Sequence, residues 1–444
     1  EDILRECVQK SLYEFVDDEL KAPFENVKIE EGIIAKTDHI LKIILILERL
    51  SQMIYIATFV ISCGLFLLSE YRRFANHFFL KYTIVIFAIL IPSLIAGLRD
   101  FSIGTDVRLY GNFWFEYAGK MNFLEYAQFG NRCSIGFLYI LLNYIVRTFT
   151  DDIRVFYFTL SFLETCMIYA SLNLISNYTP LSHFNKSNFF KEKKAFSVSF
   201  AMFCYYTIFY NNTLNLLRQF LAVSIVCLAF AFIIKKRYLL SIGLLCLAVL
   251  SHNSAAFAFI LIPLHLLNEK NKSKKNLYIL DLTLFITITF IMILYKPFLT
   301  FLISRGILSN RFFTYMENTA AVGGRMIRTF FWIFISVLGC IGFSKIIAYR
   351  QYNKFILSCV FISMAFSFVM FMGNVYAIRM AFYFDLASLV FIPTIPQIYK
   401  LHYNKKSLKW GMYLVLIILL IFRWYLEYVR SNNGQTYPYK FMQC

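Results

Sequence analysis

From residue 53 onward, apolar runs of about 20 residues alternate with short basic segments, a pattern typical of polytopic helical membrane proteins. They predict an all-α transmembrane bundle of about 12–14 spans. Residues 110–130 mix aromatic and polar side chains, which predicts interfacial helices in an outer connection. The predicted spans are 53–69, 80–98, 133–149, 154–175, 195–210, 215–234, 238–251, 254–268, 277–304, 329–349, 355–372, 376–396 and 410–426.

The first 52 residues differ from the rest. They are acidic, with 12 acidic and seven basic side chains, and Leu12, Phe15, Val16 and Leu20 follow a helical period. We expect three segments: 1–52, an amphipathic segment of unknown function that is either a natural extension or appended; 53–430, an integral membrane domain; and 431–444, a polar tail. No cleavable signal peptide is visible at the N-terminus.

Composition narrows the class of protein further. The chain is 59% hydrophobic and 16% charged, which excludes an ordinary soluble protein. Its net charge of +18 lies mainly in the short connections between spans, so it indicates membrane orientation and no nucleic-acid partner. The ten cysteines form no CxxC motif or Cys/His cluster, so we expect no disulfide framework, metal or cofactor.

The basic connections also predict which side each loop faces. Lys235–Arg237, Lys270–Lys275, Lys345–Lys354 and Lys400–Lys409 fall on alternate connections, which places them in the cytoplasm. Arg72, Arg73 and Lys81 also favour the cytoplasm, which places Arg99–Arg132 outside. Counting the predicted spans onward from Arg99–Arg132 then places both Lys186–Lys194 and Lys235–Arg237 outside, against the positive-inside rule. One predicted span between residues 110 and 210 must therefore not cross the membrane.

Ionisable residues follow the apolar run that ends at Leu98. Arg99, Asp100 and Asp106 lie just past the predicted membrane edge, where charged groups are functional candidates. Gly104 and Thr105 allow the backbone to turn back toward the membrane. The alternative is a snorkelling arginine paired with a neighbouring carboxylate.

Two further candidates lie at outer ends of spans. Arg218 and Gln219 follow a polar stretch that can cap a helix, which suits an anion site, although an arginine here can also reach lipid headgroups. His252 lies in a tight link, where it suits a general base or a phosphate contact, or is a turn residue without a function.

More arginines are predicted on the outer side, against the usual charge bias, so they need anionic partners. Glu164 and Asp385 are instead expected to pair or hydrogen-bond inside the bundle. The whole set suits a lipid diphosphate that carries a sugar chain, because guanidinium groups bind phosphates and one acid/base group can serve a hydroxyl. The late arginines are Arg311, near Tyr315, with Arg325, Arg328 and Arg379.

Several of these residues match a known family in order along the chain. The sequence resembles the EpsG family, multi-spanning bacterial proteins of the Wzy-like polysaccharide polymerase type, from residue 53 to about 400. The departures are 1–52 and the tail after about 430. The matching residues are Gly97, Leu98, Arg99, Gly104, Thr105, Asp106 and Tyr110; Leu217, Arg218, Gln219, Leu221 and Ala222; His252, Ser254 and Ala255; and Arg379.

The resemblance implies a membrane glycosyltransferase that polymerises undecaprenyl-diphosphate-linked oligosaccharide repeat units into O-antigen, capsule or exopolysaccharide. Its architecture would be membrane-glycosyltransferase-like. It would lie in the bacterial inner membrane with its active face on the outer, periplasmic side. Besides this substrate and membrane lipid, its expected partners are a chain-length regulator and a flippase.

The resemblance also implies roles for the candidate residues. Asp106 or His252 would take the hydroxyl proton, and Asp106 is favoured because an acidic residue in an early outer loop recurs in membrane glycosyltransferases that use lipid-phosphate sugars. No metal is expected, because Asp100 and Asp106 do not form a DxD pair and arginines can stabilise the leaving group. The expected diphosphate ligands are Arg99, Arg218, Arg379 and Arg311, and the supporting residues are Asp100, Thr105, Tyr110 and Gln219.

Two other classes remain open at this point. A lipid-linked oligosaccharide flippase would also place cationic residues around an internal cavity, but it would not need Asp106 as a base. A membrane O-acyltransferase acting on polysaccharide would use His252 as its base, and Arg218 and Arg379 would matter less.

Overall fold

Backbone polar groups inside a bilayer must be hydrogen-bonded within their own segment, so the long apolar runs of this chain fold as helices. The computed structural model describes residues 53–180, 194–271, 273–305, 322–371, 377–403 and 406–442. These ranges contain helices and one isolated bridge, which confirms the predicted all-α polytopic class. The α-helices are α1 (Met53–Glu70), α2 (Arg72–Ala75), α3 (Phe78–Gly97), α4 (Phe113–Ala118), α5 (Phe123–Arg132), α6 (Phe137–Phe149), α7 (Ile153–Asn177), α8 (Val198–Tyr205), α9 (Asn211–Asn215), α10 (Leu217–Ile234), α11 (Tyr238–Ser251), α12 (Leu261–Lys270), α13 (Lys274–Ser304), α14 (Val322–Tyr349), α15 (Asn353–Phe371), α16 (Ala377–Asp385), α17 (Ser388–Tyr403) and α18 (Lys406–Trp424).

Seven helices in the described ranges are long and apolar enough to cross a bilayer, and α16 and α17, bent by 42°, form an eighth candidate. The predicted polytopic bundle is therefore confirmed, and eight of its predicted spans meet this criterion of length and composition. Two further predicted spans, 133–149 and 238–251, correspond to the shorter apolar helices α6, with 13 residues, and α11, with 14. At 1.5 Å per residue these helices are about 20 Å long, shorter than a hydrocarbon core of roughly 30 Å.

One end of the bundle, called the Asp106 end, gathers segments that are distant in sequence. The hydroxyl of Thr105 donates a hydrogen bond to the side chain of Asn215 at the end of α9 (2.9 Å). The hydroxyl of Ser251, the last residue of α11, donates to the carbonyl of Arg218 in α10 (3.0 Å). The short helices α4 and α5 lie in the connection between α3 and α6, where the sequence predicts interfacial helices.

The opposite end, called the Glu70 end, carries basic residues. Lys194 forms an ion pair with Glu70 (2.9 Å), and Lys236 forms one with Glu269 (2.5 Å). The hydroxyl of Tyr349, the last residue of α14, donates to the carbonyl of Ala195 (2.8 Å). Ends of α1, α10, α12 and α14 therefore lie at one end of the bundle.

These contacts remove the conflict in the predicted orientation. Both ends of α6 lie at the Asp106 end, since Gly136 lies against Ser251 and the carbonyl of Arg154 lies beside Gly97. The chain therefore stays at this end from residue 99 until α7 begins at Ile153. The α7 helix then brings the chain to the Glu70 end, where Lys194 and Lys236 both lie. The basic residues Lys194 and Lys236 thus share one end, as the positive-inside rule requires. That this end faces the cytoplasm stays a prediction.

The C-terminal residues pack against the Asp106 end. The Tyr55 hydroxyl donates to the carbonyl of Thr436 (2.6 Å), and the Asp100 N–H donates to the carbonyl of Lys440 (2.8 Å). Phe441 pairs with Arg99 in the antiparallel bridge. The segment expected as a polar tail therefore lies against the helix bundle.

Buried ion pairs join the last helices. Asp385, which the sequence predicts to pair inside the bundle, forms an ion pair with Arg328 of α14, and this prediction is confirmed. Arg423 of α18 pairs with Glu427 one turn later (2.5 Å). Glu164 is also buried, and its Oε1 atom has no hydrogen-bond partner in the described part of the chain, so its predicted pairing is not seen at that atom.

Candidate functional site

The loop after α3 turns sharply at Gly104. Its φ of +93° lies in the left-handed region, which a glycine adopts without strain. A Cβ atom here would lie 2.7 Å from the carbonyl oxygen of Leu214, too close for any other residue. The Gly104 N–H donates to the carbonyl of Gln435 (3.0 Å). The turn therefore fixes the positions of Thr105 and Asp106.

Asn215 holds this loop against α10. Its Oδ1 atom accepts hydrogen bonds from the N–H (2.7 Å) and the hydroxyl (2.9 Å) of Thr105, and a longer one from the N–H of Asp106 (3.4 Å). Asn215 is buried, and α10 begins two residues later. The loop that carries Asp106 is therefore fastened beside the N-terminus of the helix that carries Arg218.

Arg218 lies in the first turn of α10 and stacks on an aromatic ring. Its Cζ atom is 3.7 Å from the centre of the Tyr110 ring, a cation–π contact worth about 0.5–2 kcal/mol. The hydroxyl of Tyr139 donates to the carbonyl of Tyr110 (2.9 Å) and holds that residue in place. The Nε atom of Arg218 is buried and has no hydrogen-bond partner among the described residues.

His252 lies between α11 and a 3₁₀-helix formed by Asn253–Ile260. Its Nδ1 atom accepts from the N–H of Ser254 (3.3 Å), which caps this helix, and lies 2.7 Å from the Ser254 hydroxyl. That hydroxyl is also 2.7 Å from the hydroxyl of Tyr383 in α16. His252 is thus tied to the helix that carries Arg379.

Gln219 connects α10 with α16. It is buried, and its Nε2 atom donates to the carbonyl of Arg379 (2.9 Å). Arg379 itself is exposed and lies in the first turn of α16. Gln219 therefore sets the spacing between the two helices whose N-terminal turns carry arginines.

These elements enclose a cavity of about 370 Å³, within the size range of small-molecule sites. Six of the residues predicted for the site line it, although they come from four separate parts of the sequence. The lining residues are Asp106, Leu109, Tyr110, Ser134, Gly136, Leu216, Arg218, Gln219, Ser251, His252, Asn253 and Arg379.

Burial and the charges in the cavity change the pKa values of Asp106 and His252. Burial raises the pKa of Asp106, while the charges of Arg218 and Arg379 act in the opposite direction. Burial and the same two arginines lower the pKa of His252 to about 4. His252 is therefore neutral at pH 7, and the cavity has a positive charge excess that suits an anionic ligand.

The remaining predicted residues lie elsewhere. Arg99 is only 2% exposed and does not line the cavity; its guanidinium packs 4.5 Å from the centre of the Tyr157 ring. Asp100 accepts from the N–H of Ser102 (2.8 Å), and hydrogen bonds from the side chain and the backbone of Ser102 lower its pKa. Thr105 supports the cavity through Asn215. Arg311, Tyr315 and residues 1–52 lie outside the described residues.

Gly136 was not found by sequence reasoning, because it lies in a segment predicted as a membrane span. A Cβ atom at Gly136 would lie 1.9 Å from the carbonyl oxygen of Ser251. The missing side chain lets the start of α6 approach the end of α11, where His252 follows. Ser134, with a φ of 57°, and Asn253 were also missed, and only their position in the folded chain indicates a role.

The described residues contain no group of three or more His, Cys, Asp or Glu side chains that could hold a metal ion. The residues that could hold a ligand are therefore the two arginines, with Asp106, His252 and the polar groups around them.

The fold and the site define a multi-pass helical membrane protein with a charged cavity at one end of its bundle. The chain belongs to the EpsG family: the EpsG family model matches residues 82–441. Because it belongs to this family, the chain is a membrane protein of polysaccharide biosynthesis. The match begins later than the resemblance predicts and includes the C-terminal segment that was expected to depart from the family. No curated protein and no solved structure matches the chain.

Proposed function

We propose that this protein is a glycosyltransferase that polymerises undecaprenyl-diphosphate-linked oligosaccharide repeat units into a surface polysaccharide. The observation that carries the proposal is the cavity in which Asp106, Arg218 and Arg379 meet. Two guanidinium groups beside one carboxyl group suit a diphosphate and an acceptor hydroxyl together. We further propose that the protein lies in the bacterial inner membrane, with the Asp106 end on the outer side.

Arg218 and Arg379 would bind the diphosphate of the lipid-linked donor. Arg218 is suited to this because Tyr110 holds its guanidinium from one face, so little side-chain freedom is lost on binding. Gln219 sets the spacing of the second arginine. Arg99 is buried away from the cavity, so the proposal does not rest on it.

The reaction would be a displacement at the anomeric carbon of the donor sugar. The oxygen of the acceptor hydroxyl forms the new bond to this carbon, and its proton moves to the Asp106 carboxylate. The bond between the anomeric carbon and the phosphate oxygen breaks, and the lipid diphosphate leaves with the electron pair. The two arginines stabilise the negative charge that develops on the leaving group.

Asp106 suits the role of base because its pKa is raised from that of an ordinary aspartate. A base is most effective when its pKa approaches the working pH, and burial moves Asp106 in that direction. A flippase would need the arginines for binding, but it would not need this carboxylate as a proton acceptor.

The proposal is tested with the full chain in lipid nanodiscs, supplied with one undecaprenyl-diphosphate-linked repeat unit. The wild type should produce a ladder of products, and Asp106→Asn and Arg218→Ala should lose it. Arg305→Ala is the matched control, because Arg305 is an exposed arginine outside the residues that line the cavity. Binding of the lipid without a ladder, or a ladder that survives in Asp106→Asn, would contradict the proposal.

A further inference from the structure

The imidazole of His252 is held at one nitrogen. The backbone N–H of Ser254 donates to Nδ1 at 3.3 Å, and the Ser254 hydroxyl lies 2.7 Å from the same atom. A backbone N–H can only donate, so Nδ1 must offer a lone pair. In a neutral imidazole the single proton then resides on Nε2.

Tyr383 extends this arrangement by one step. Its hydroxyl lies 2.7 Å from the Ser254 hydroxyl, and Tyr383 is completely buried in α16, one turn after Arg379. The Ser254 hydroxyl has one proton, and donation of that proton to Nδ1 leaves its oxygen free to accept from Tyr383. The hydrogen bonds then run in one direction, from Tyr383 to Ser254 to Nδ1.

We infer that His252 presents its Nε2–H group to the cavity as a hydrogen-bond donor to a phosphate oxygen of the lipid-linked substrate, and that Ser254 and Tyr383 are positioning residues that fix this tautomer. The inference rests on the proposed function and deepens it. Because Nδ1 is occupied and Nε2 carries a proton, His252 has no free lone pair to accept the acceptor hydroxyl proton. The role of general base then falls to Asp106 alone.

The charges around His252 agree with this assignment. Arg218 faces it from α10 and Arg379 from α16, and Asp106 lies in the same cavity. The two positive charges and burial disfavour a second proton on the ring, so the neutral form predominates at pH 7. A neutral donor beside two arginines adds a directed hydrogen bond without further charge.

The first test reads the tautomer directly and needs no activity. The full chain is labelled with ¹⁵N-histidine in nanodiscs, and the resonances of His252 are assigned by their loss in His252→Gln. At pH 7 we expect a protonated Nε2 and an unprotonated Nδ1 in the wild type. Tyr383→Phe should increase the fraction with a protonated Nδ1. A wild-type ring protonated at Nδ1 would overturn the inference.

The second test uses two replacements of His252 with undecaprenyl diphosphate as the probe. The side-chain amide of His252→Gln can donate from nearly the position of Nε2, whereas His252→Leu cannot donate. We expect His252→Leu to weaken binding about 10-fold or more, because it loses a hydrogen bond to a charged phosphate group, and His252→Gln to weaken it less than about 3-fold. Equal losses in the two variants would contradict the donor role.

The two tests separate this inference from the proposed function. Suppose that the wild type has the expected tautomer, that the two His252 variants differ in binding as expected, and that the wild type makes no polymer. This result would contradict the polymerase and support the donor role. A wild type that polymerises while His252→Gln and His252→Leu are equally inactive would support the polymerase and overturn the donor role.

Discussion

Asn215 accepts two hydrogen bonds from Thr105 at a single side-chain oxygen, one from its N–H at 2.7 Å and one from its hydroxyl at 2.9 Å. The two residues lie 110 positions apart in the sequence. The pair joins the loop that carries Asp106 to the helix that carries Arg218. It therefore controls the distance between the proposed base and a proposed phosphate ligand.

Loss of the Asn215 oxygen should disturb the site strongly. Asn215→Leu leaves the N–H groups of Thr105 and Asp106 without their acceptor, and a buried unpaired donor costs about 1–3 kcal/mol. We expect a lower unfolding temperature and at least a 10-fold loss of polymer. Thr105→Val removes only the hydroxyl contact and should have a smaller effect, and Thr105→Ser should resemble the wild type. Equal activity of Asn215→Leu and wild type would show that this contact does not position the site.

The close approach of α6 and α11 should not tolerate a side chain. Gly136→Ala places a Cβ atom 1.9 Å from the carbonyl oxygen of Ser251, so the backbone before His252 must move. We expect polymer yield and affinity for undecaprenyl diphosphate to fall together. Gly243→Ala is the matched control within α11, because a Cβ atom there meets nothing within 4 Å. The two alanine variants are compared for polymer yield, lipid affinity and unfolding temperature, and similar effects from both would contradict this account.

The dependence of polymerisation on pH should report Asp106. Its raised pKa means that the carboxylate is protonated, and lost as a base, at a higher pH than an ordinary aspartate. The rate should therefore rise as pH increases through this raised pKa and then stay level. Because the pKa of His252 is lowered to about 4, its ionisation should not limit the rate near neutral pH.

Rates are measured from pH 4 to 8 in the wild type and in His252→Gln, which should keep the same shape of profile. An ionisation close to the ordinary histidine pKa of about 6.5 that vanishes in His252→Gln would instead identify His252 as the base.

Arg99 should stabilise the folded protein and contribute little to ligand binding. It is 2% exposed, packs on Tyr157 and pairs with Phe441, so Arg99→Ala should lower the unfolding temperature. The folded fraction should keep its affinity for undecaprenyl diphosphate within about 3-fold. This loss is smaller than the one expected when a hydrogen bond to a charged group is removed. Arg218→Ala should show the opposite pattern, with lost affinity and a nearly unchanged unfolding temperature. If folded Arg99→Ala no longer binds undecaprenyl diphosphate, Arg99 is a diphosphate ligand after all.

The sequence by itself determined the class of protein and half of the residues that line the cavity. Apolar runs near the thickness of a bilayer leave helices as the main available structure. Charged residues at the ends of such runs are costly, so Asp106, Arg218 and Arg379 stand out from an apolar background without any coordinates. His252 stands out in the same way, as a polar residue in a tight link between apolar helices.

Only the tertiary structure decided which of these residues face one another. The packing of α6 showed that one predicted span does not cross the bundle, because apolar composition does not reveal where a helix ends or what it packs against. Arg99 and Arg218 look alike in sequence, yet one is buried on Tyr157 and the other lines the cavity on Tyr110. Gly136 and Tyr383 carry no local signal, because their importance comes from a backbone approach and a hydrogen bond to segments distant in sequence. Such contacts depend on how the helices pack, which local residue patterns do not specify.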